Sequence, residues 1–179
     1  SSLETVDLSR FQRVAKKTEI TELNLNLNAA TADNAANGVT NITVYDSLGN
    51  DYLLELTWAR TDVDNQWSCA PKLQNPDTTA AGGTVNETNG ATAVFVVQFN
   101  TDGTPNQVSP MAANVGAAKT ALAAAGATGT KVSTNLLFAT ATIETAYSRT
   151  VDPVAISLDL GNFDQPSGVT QYDAPYQTS

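Results

Sequence analysis

Few side chains in this sequence could perform catalysis, because the chain contains no histidine. Histidine is the commonest general base and the usual partner of a nucleophilic serine or cysteine. The nearest approach to an acid–base pair is Asp46 with Asp51, since two neighbouring carboxylates can divide those roles. Both flank a predicted turn, where we expect them to face water. The sequence therefore predicts no catalytic residue, and an enzyme is the least favoured function.

Metal and cofactor sites are not predicted either. Asp62, Asp64 and Asn65 have the spacing of a calcium loop, but the glycine and the downstream glutamate of such a loop are missing, which favours a solvated hairpin turn. The pair Gly82-Gly83 lacks the strand, lysine and helix of a phosphate-binding loop. Cys69 is the single cysteine, so it is interpreted as a small apolar side chain on a strand.

Charge argues against two classes of partner. The 179 residues carry 9 basic and 18 acidic side chains, for a net charge of −9. Nucleic acids and anionic membranes both require a basic surface, so neither is an expected partner. Residues 10–17 hold four of the basic side chains and differ from the acidic remainder. No apolar run is long enough to span a bilayer, and the opening residues lack the layout of a secretory signal.

Alternating apolar and polar residues predict short β-strands. In residues 23–28 leucine alternates with asparagine, which is typical of a half-buried strand at a sheet edge or facing water. Residues 39–59 predict a hairpin around the turn 46–50, in which Asp46 can accept from backbone amides and Gly49 can take a positive φ. Further strands are predicted at 66–70, 93–99, 131–145 and 154–160, with Leu137, Ala139, Ala141 and Ile143 sharing one face of the third.

Two segments leave alternatives open. Trp58 and Trp67 flank a tight reversal and predict a cross-strand aromatic pair, although with Tyr45 and Tyr52 they could instead form a sugar-stacking platform. The alanine-rich residues 111–127 predict either one short helix or a flexible insertion. Together the segments predict a mainly β fold, an antiparallel β-sandwich or barrel with short Asp/Gly turns and at most one short helix.

Several motifs resemble the outer domain of the bacterial flagellar hook protein, so the chain is FlgE-like in these segments. Residues 17–27 resemble the lead-in and first strand of that domain, and residues 43–50 resemble its "VYDSLGN" turn, followed by Trp67 in an "N-x-W" context. Residues 156–160 and 169–172 resemble its closing strand and "T-Q-Y" region. Distal-rod proteins of the same axial family share pieces of this pattern. The motif residues, with structural roles in a turn and a strand, are Tyr45, Asp46, Ser47, Leu48, Gly49, Asn50 and Trp67.

The resemblance implies an organisation into three parts. Residues 1–17 would be a linker from an inner domain, 18–163 the outer β domain, and 164–179 the return linker. Within the outer domain, about 71–135 would be a variable region or insertion. The chain shows no heptad pattern at either end and has no initiator methionine, so we expect an excised fragment without the terminal helical segments. Two linkers to one inner domain would place both ends on the same side of the fold.

The function that the resemblance implies is mechanical. The chain would be part of the flagellar hook, the extracellular universal joint that transmits motor torque to the filament, with subunits exported unfolded by type III export. Its partners would be other copies of the hook protein in a helical tube, with no cofactor, and the isolated fragment would be monomeric. A polar, acidic surface favours weak, hydrated contacts that can slide. The alternative is a carbohydrate-binding or adhesive β-module of a phage tail or cell-surface protein, which would expose an aromatic strip.

Overall fold

The computed structural model describes residues 16–74, 93–126, 131–138 and 152–178. Over these ranges it contains eleven strands and one helix, so the predicted mainly β fold is confirmed. In chain order the elements are β1 (Ile20–Glu22), β2 (Leu25–Asn28), β3 (Ala36–Tyr45), β4 (Asp51–Arg60), β5 (Gln66–Gln74), β6 (Phe95–Phe99), β7 (Pro105–Val108), α1 (Val115–Ala125), β8 (Lys131–Phe138), β9 (Val154–Asn162), β10 (Val169–Tyr172) and β11 (Gln177–Thr178).

The largest sheet is an antiparallel meander in the order β3-β4-β5-β6-β7. Tight turns connect β3 to β4, β4 to β5 and β6 to β7, where the sequence predicted them. Asn65 ends the turn between β4 and β5 with a φ of 57°, and Gly103 lies between β6 and β7 with a φ of 84°. Asparagine and glycine are the residues that adopt this left-handed conformation most readily. The predicted hairpin over 39–59 is present as β3 and β4.

Two smaller sheets contain parallel pairs, which the predicted antiparallel arrangement did not include. Their strand orders are β1-β9-β8 and β10-β2-β11, with β1 parallel to β9 and β2 parallel to β10. Parallel neighbours require a long crossover. Here the whole five-stranded sheet lies in sequence between the first two strands and their parallel partners.

The predicted edge position of the asparagine–leucine strand was wrong. β2 is the central strand of its sheet, with β10 on one side and β11 on the other. Its asparagines are half-buried, and Asn26 makes hydrogen bonds: Asn26 Oδ1 accepts from the backbone N–H of Tyr172 at 2.9 Å, and Asn26 Nδ2 donates to the carbonyl of Ala174 at 3.2 Å. The polar face therefore holds the C-terminal segment in place.

The alternation in two strands places their apolar faces in the core as predicted. On β4, Tyr52, Leu54, Leu56 and Trp58 are fully buried, and on β9 the buried face is Val154, Ile156, Leu158 and Leu160. In β8 the predicted face was wrong, because Leu137 is 38% exposed while Leu136 and Phe138 are buried. The register sets this choice, since Leu136 lies opposite Ile156 and Phe138 opposite Val154. Ala139, Ala141 and Ile143 lie outside the described residues.

The alanine-rich segment forms a helix, α1. The side chain of Asn114 caps its first turn by accepting from the N–H of Ala117 at 2.9 Å, and Gly126 ends it with a φ of 61°. Ala118 and Leu122 pack against Val94 and Val96 in a second, smaller apolar cluster. This packing explains why the segment leading into and including β6 is apolar on both of its faces.

The predicted return linker over 164–179 is largely part of the fold. It contains β10 and β11, and Val169 is fully buried. Because β11 runs antiparallel to β2, Thr178 lies opposite Leu25, and the last described strand runs toward the N-terminal end of β2. Of the predicted first linker, only residues 16 and 17 are described. Among the described helices, none is long and apolar enough to cross a membrane.

Candidate functional site

The turn at 46–50 is organised by the carboxylate of Asp46, which is only 1% exposed. Its Oδ1 accepts from the backbone N–H of Leu48 at 3.0 Å and of Asn50 at 2.8 Å. Its Oδ2 accepts from Asn50 Nδ2 at 2.8 Å and from the Tyr52 hydroxyl at 3.2 Å. The expectation that Asp46 faces water was therefore wrong. A carboxylate with four donors around it fixes a turn and is not poised as an acid–base catalyst.

The same turn is connected to two distant parts of the chain. The Ser47 hydroxyl donates to the carboxylate of Asp152, which lies just before β9. Thr18, just before β1, exchanges two bonds with Tyr45: its N–H donates to the Tyr45 carbonyl, and its hydroxyl accepts from the Tyr45 N–H, both at 3.0 Å. The turn thus joins β1, in one of the small sheets, to β3, the first strand of the five-stranded sheet. Two of its side chains project outward, with Leu48 55% and Tyr45 43% exposed.

Trp67, the last predicted motif residue, is joined to the C-terminal region through Gln171. The indole Nε1 of Trp67 donates to Gln171 Oε1 at 2.6 Å, and Gln171 Nε2 donates to Asn65 Oδ1 at 2.8 Å. Trp67 is fully buried and Gln171 is 6% exposed. The glutamine therefore satisfies the buried indole donor and also binds the half-buried Asn65. The sequence contained this residue in the "T-Q-Y" region, but its spacing gave no indication of the bond.

A close approach between two backbone segments also holds Gln171 in place. The Gln171 N–H donates to the carbonyl of Gly103 at 2.9 Å. A Cβ at Gly103 would lie 2.3 Å from the Gln171 carbonyl oxygen and 2.8 Å from the Tyr172 ring. Only glycine fits this position, because it also has a positive φ. The turn between β6 and β7 is thereby fixed against β10.

The aromatic residues do not form the predicted tryptophan pair. Trp58 lies opposite Cys69 in the ladder, and Trp67 lies opposite Arg60. The ring contact of Trp58 is with Phe95, edge to face, with centroids 5.8 Å apart. Tyr52, Trp58 and Trp67 are all fully buried, so the alternative of a sugar-stacking platform, which needed them on the surface, was wrong.

The residues with calcium-loop spacing do not converge. Asp62 pairs with Lys119 on α1, and the hydrogen bond from that lysine lowers the pKa of the Asp62 carboxyl. The Asp64 side chain is 97% exposed, whereas Asn65 Oδ1 is bound by Gln171. Within the part of the chain that the structure describes, no three His, Cys, Asp or Glu side chains are grouped as metal ligands.

Cys69 and Asp159 also have shifted pKa values. Burial raises the pKa of the Cys69 thiol well above its usual value, which disfavours the reactive thiolate. Asp159 forms an ion pair with Lys131. Burial alone raises the pKa of Asp159, but the bonds from Lys131 and from the Gly161 N–H, together with the lysine charge, lower it overall. This pair lines a cavity of about 170 Å³ together with Glu22 and Gly168.

Comparison with known proteins gives a family. The family model described as the flagellar basal body protein FlaE D2 domain matches residues 13–179. No curated protein matches the chain. Among solved structures, a 32 kDa fragment of the flagellar hook protein FlgE from Caulobacter crescentus is similar at 17% identity and a TM-score of 0.47. The aligned region covers 79% of this chain and 46% of that fragment, so the chain spans less than half of its length.

The family match includes every motif on which the resemblance to hook-protein outer domains depended, from the turn at 46–50 to Gln171. The predicted resemblance to an FlgE-like hook-protein domain is confirmed, and the chain belongs to the FlaE D2 domain family of flagellar basal body proteins.

Proposed function

We propose that this chain is a domain on the outer surface of the extracellular flagellar hook, where it contributes to the flexible joint that carries motor torque to the filament. The observation that supports this most is the family match over residues 13–179. The family is a structural one, and the turn and strand motifs of the chain are used for packing. Asp46 and Gln171 are buried polar side chains, and both hold elements together.

The organisation that we propose keeps two connections to an inner part of the subunit. The outer domain extends from about residue 18 to 178, since β10 and β11 complete the sheet around β2. The antiparallel pairing of β2 and β11 supports this arrangement, because it directs the last described strand toward the N-terminal end of β2. A domain attached by two adjacent ends can tilt as one body on a tube that bends.

The motif residues then divide into two groups. Asp46, Gly49 and Asn50 shape the turn, and Trp67 fixes the core. Tyr45 and Leu48 remain exposed at the tip, where they are available to a neighbouring copy of the subunit. A contact of two apolar side chains within a polar, acidic surface is weak. Repulsion between surfaces with a net charge of −9 acts over roughly 8 Å at physiological salt, so neighbours can slide.

Immunogold electron microscopy of isolated hook–basal bodies tests the proposal. Antibodies raised against this chain should label the curved hook segment along its length. Labelling confined to the straight rod would favour the distal-rod relatives instead. Labelling of the filament or cell surface, or of no flagellar part in cells that express the protein, would contradict the proposal.

Sedimentation of the isolated chain tests the contact strength separately. We expect a monomer at micromolar concentration, because a sliding contact must be weak outside the tube. A stable dimer or larger oligomer at that concentration would contradict the sliding surface, while leaving the location in the hook unaffected.

A further inference from the structure

The C-terminal residues 173–178 form a strap that crosses back beside the first strands. Only its last two residues are a strand: Gln177 pairs with Asn26 and Thr178 with Leu25. Before that, the Ala174 carbonyl accepts from Asn26 Nδ2 at 3.2 Å. The strap therefore has few backbone bonds, and side-chain contacts must hold the rest of it.

Tyr176 fastens the middle of the strap to β3. Its hydroxyl is hydrogen-bonded to the hydroxyl of Thr40. Its ring lies against the backbone of Gly38, where an added Cβ would come within 2.7 Å of the ring carbons. Burial raises the pKa of the Tyr176 hydroxyl, as expected for a ring packed against the sheet. This one side chain thus supplies much of the packing of the strap.

The direction of each strand decides how the chain responds to tension between its ends. Tension on β2 acts toward Lys16, and tension on β11 acts toward the C-terminus. Since Thr178 lies opposite Leu25, the loaded ends of these antiparallel strands are at the same end of the pair. Their bonds are therefore loaded one after another, and β11 peels away.

The parallel pairs respond in the opposite way. β10 is parallel to β2, with Val169 opposite Leu25 and Tyr172 opposite Asn28. Once the strap is free, tension pulls β10 beyond Tyr172 while it pulls β2 back toward Lys16. All the bonds between the two strands are then loaded together in shear. β1 is likewise parallel to β9 and is pulled along its own axis.

We propose that the strap 173–178 is a mechanical latch: it opens under low tension, lengthens the connection, and stops where the parallel strands bear the load in shear. Six extended residues, measured from a starting point folded back along β2, give roughly 20–30 Å of added length. The latch is a property of the isolated chain and stands whether or not the domain is part of a hook.

Single-molecule force spectroscopy on the full chain tests the latch. Handles are attached at K16C and S179C in a C69A background, so that the buried Cys69 cannot compete for the handles. We expect a reversible low-force extension of roughly 20–30 Å, followed by unfolding at a clearly higher force. A matched protein with the second handle at the exposed residue 173, as D173C, should lose the first step and keep the second, because the strap is then outside the loaded path.

The variant Tyr176→Ala, with handles at 16 and 179, tests whether Tyr176 holds the strap without affecting the unfolding force of the rest of the fold. It should lower the force of the first step or remove that step, while the unfolding force stays unchanged. A single step with handles at 16 and 179, or a low-force step that persists with the handle at 173, would overturn the latch. A first step that Tyr176→Ala leaves unchanged would overturn the assigned fastening.

Discussion

Trp67 and Gln171 are separated by 104 positions in the chain and are joined in the core by a hydrogen bond of 2.6 Å. Gln171 also donates a hydrogen bond to Asn65 in the turn before β5. The bond therefore connects the five-stranded sheet to β10. Because Trp67 is fully buried, losing the glutamine leaves its indole N–H without a partner.

Replacing this glutamine by a side chain of similar size should destabilise the fold. Gln171→Met keeps the volume but removes both bonds, and we expect a loss of about 2 kcal/mol in the free energy of unfolding. Urea denaturation of wild type, Gln171→Met, Trp67→Phe and the double variant would measure the coupling. Additive effects of the two substitutions would show that the bond contributes nothing.

Asp46 should be the most sensitive residue of the 46–50 turn. Asp46→Ala removes the acceptor of four donors, and we expect a loss of about 3 kcal/mol, because two backbone N–H groups and two side chains lose a charged partner. Asp46→Asn keeps one carbonyl acceptor and should cost less. Asp64→Asn is the matched control, since that side chain is 97% exposed, and it should change stability by less than about 0.5 kcal/mol.

Two glycines with positive φ should differ in their tolerance of alanine. Gly126→Ala meets no atom within 4 Å, so it carries only the conformational cost of a positive φ, about 1–3 kcal/mol. Gly103→Ala carries that cost and also places its Cβ 2.3 Å from the Gln171 carbonyl oxygen. Its loss of stability in thermal or urea unfolding should be clearly larger. Equal losses at the two positions would mean that the close approach at Gly103 relaxes freely.

The sequence predicted those parts of the fold that depend on local periodicity. β4 and β9 each have one face in the core, so the alternation of Tyr52 to Trp58 and of Val154 to Leu160 indicated both the strand and its buried face. The same reasoning failed in β8, where Leu136 and Leu137 are adjacent. Two successive leucines lie on opposite faces of a strand, so they do not indicate which face is buried. Only the register with β9 decides which one points inward.

Strand partners and long-range bonds could not be obtained from periodicity. The alternation in residues 23–28 predicted a strand, but not that β2 would be central between two C-terminal strands. Asn65 and Trp67 belong to one sequence motif and Gln171 to another, and nothing in the sequence connects them, because hydrogen bonding between distant side chains leaves no spacing pattern. The buried position of Asp46 was missed for a similar reason, since a turn carboxylate can equally well face water.

The pair Lys131–Asp159 should make stability depend on pH at the acid end. The folded-state pKa of Asp159 is lowered, so its contribution is present above the unfolded-state value of about 4 and is lost as the pH falls through the folded value. The folded-state pKa of Lys131 is raised, chiefly by its bond to Asp159, so its contribution is lost as the pH rises through that value. Because the Lys131 side chain is 60% exposed, solvent screens the ion pair and its contribution to the free energy of unfolding is small.

Urea denaturation of Lys131→Met against wild type, from pH 2 to 9, measures this contribution. The difference between the two should be constant near neutral pH and disappear as Asp159 becomes protonated. Lys72→Met, on β5, removes one positive charge elsewhere and serves as the control. A difference that persists unchanged at pH 2 would show that Lys131 acts through packing of its stem and not through the ion pair.

The exposed tip of the 46–50 turn should matter to assembled hooks more than to the isolated domain. Tyr45→Ser with Leu48→Ser removes two exposed apolar side chains and leaves the Asp46 bonds in place, so the free energy of unfolding should change by less than about 0.5 kcal/mol. In cells whose hook protein carries both changes, we expect hooks with altered curvature or bending stiffness and slower swimming. The double variant Val63→Ser with Asp64→Ser, at the turn between β4 and β5, is the matched surface control. If swimming and hook shape are unchanged by the first pair, Tyr45 and Leu48 do not contact a neighbouring subunit, and the sliding surface lies elsewhere on the domain.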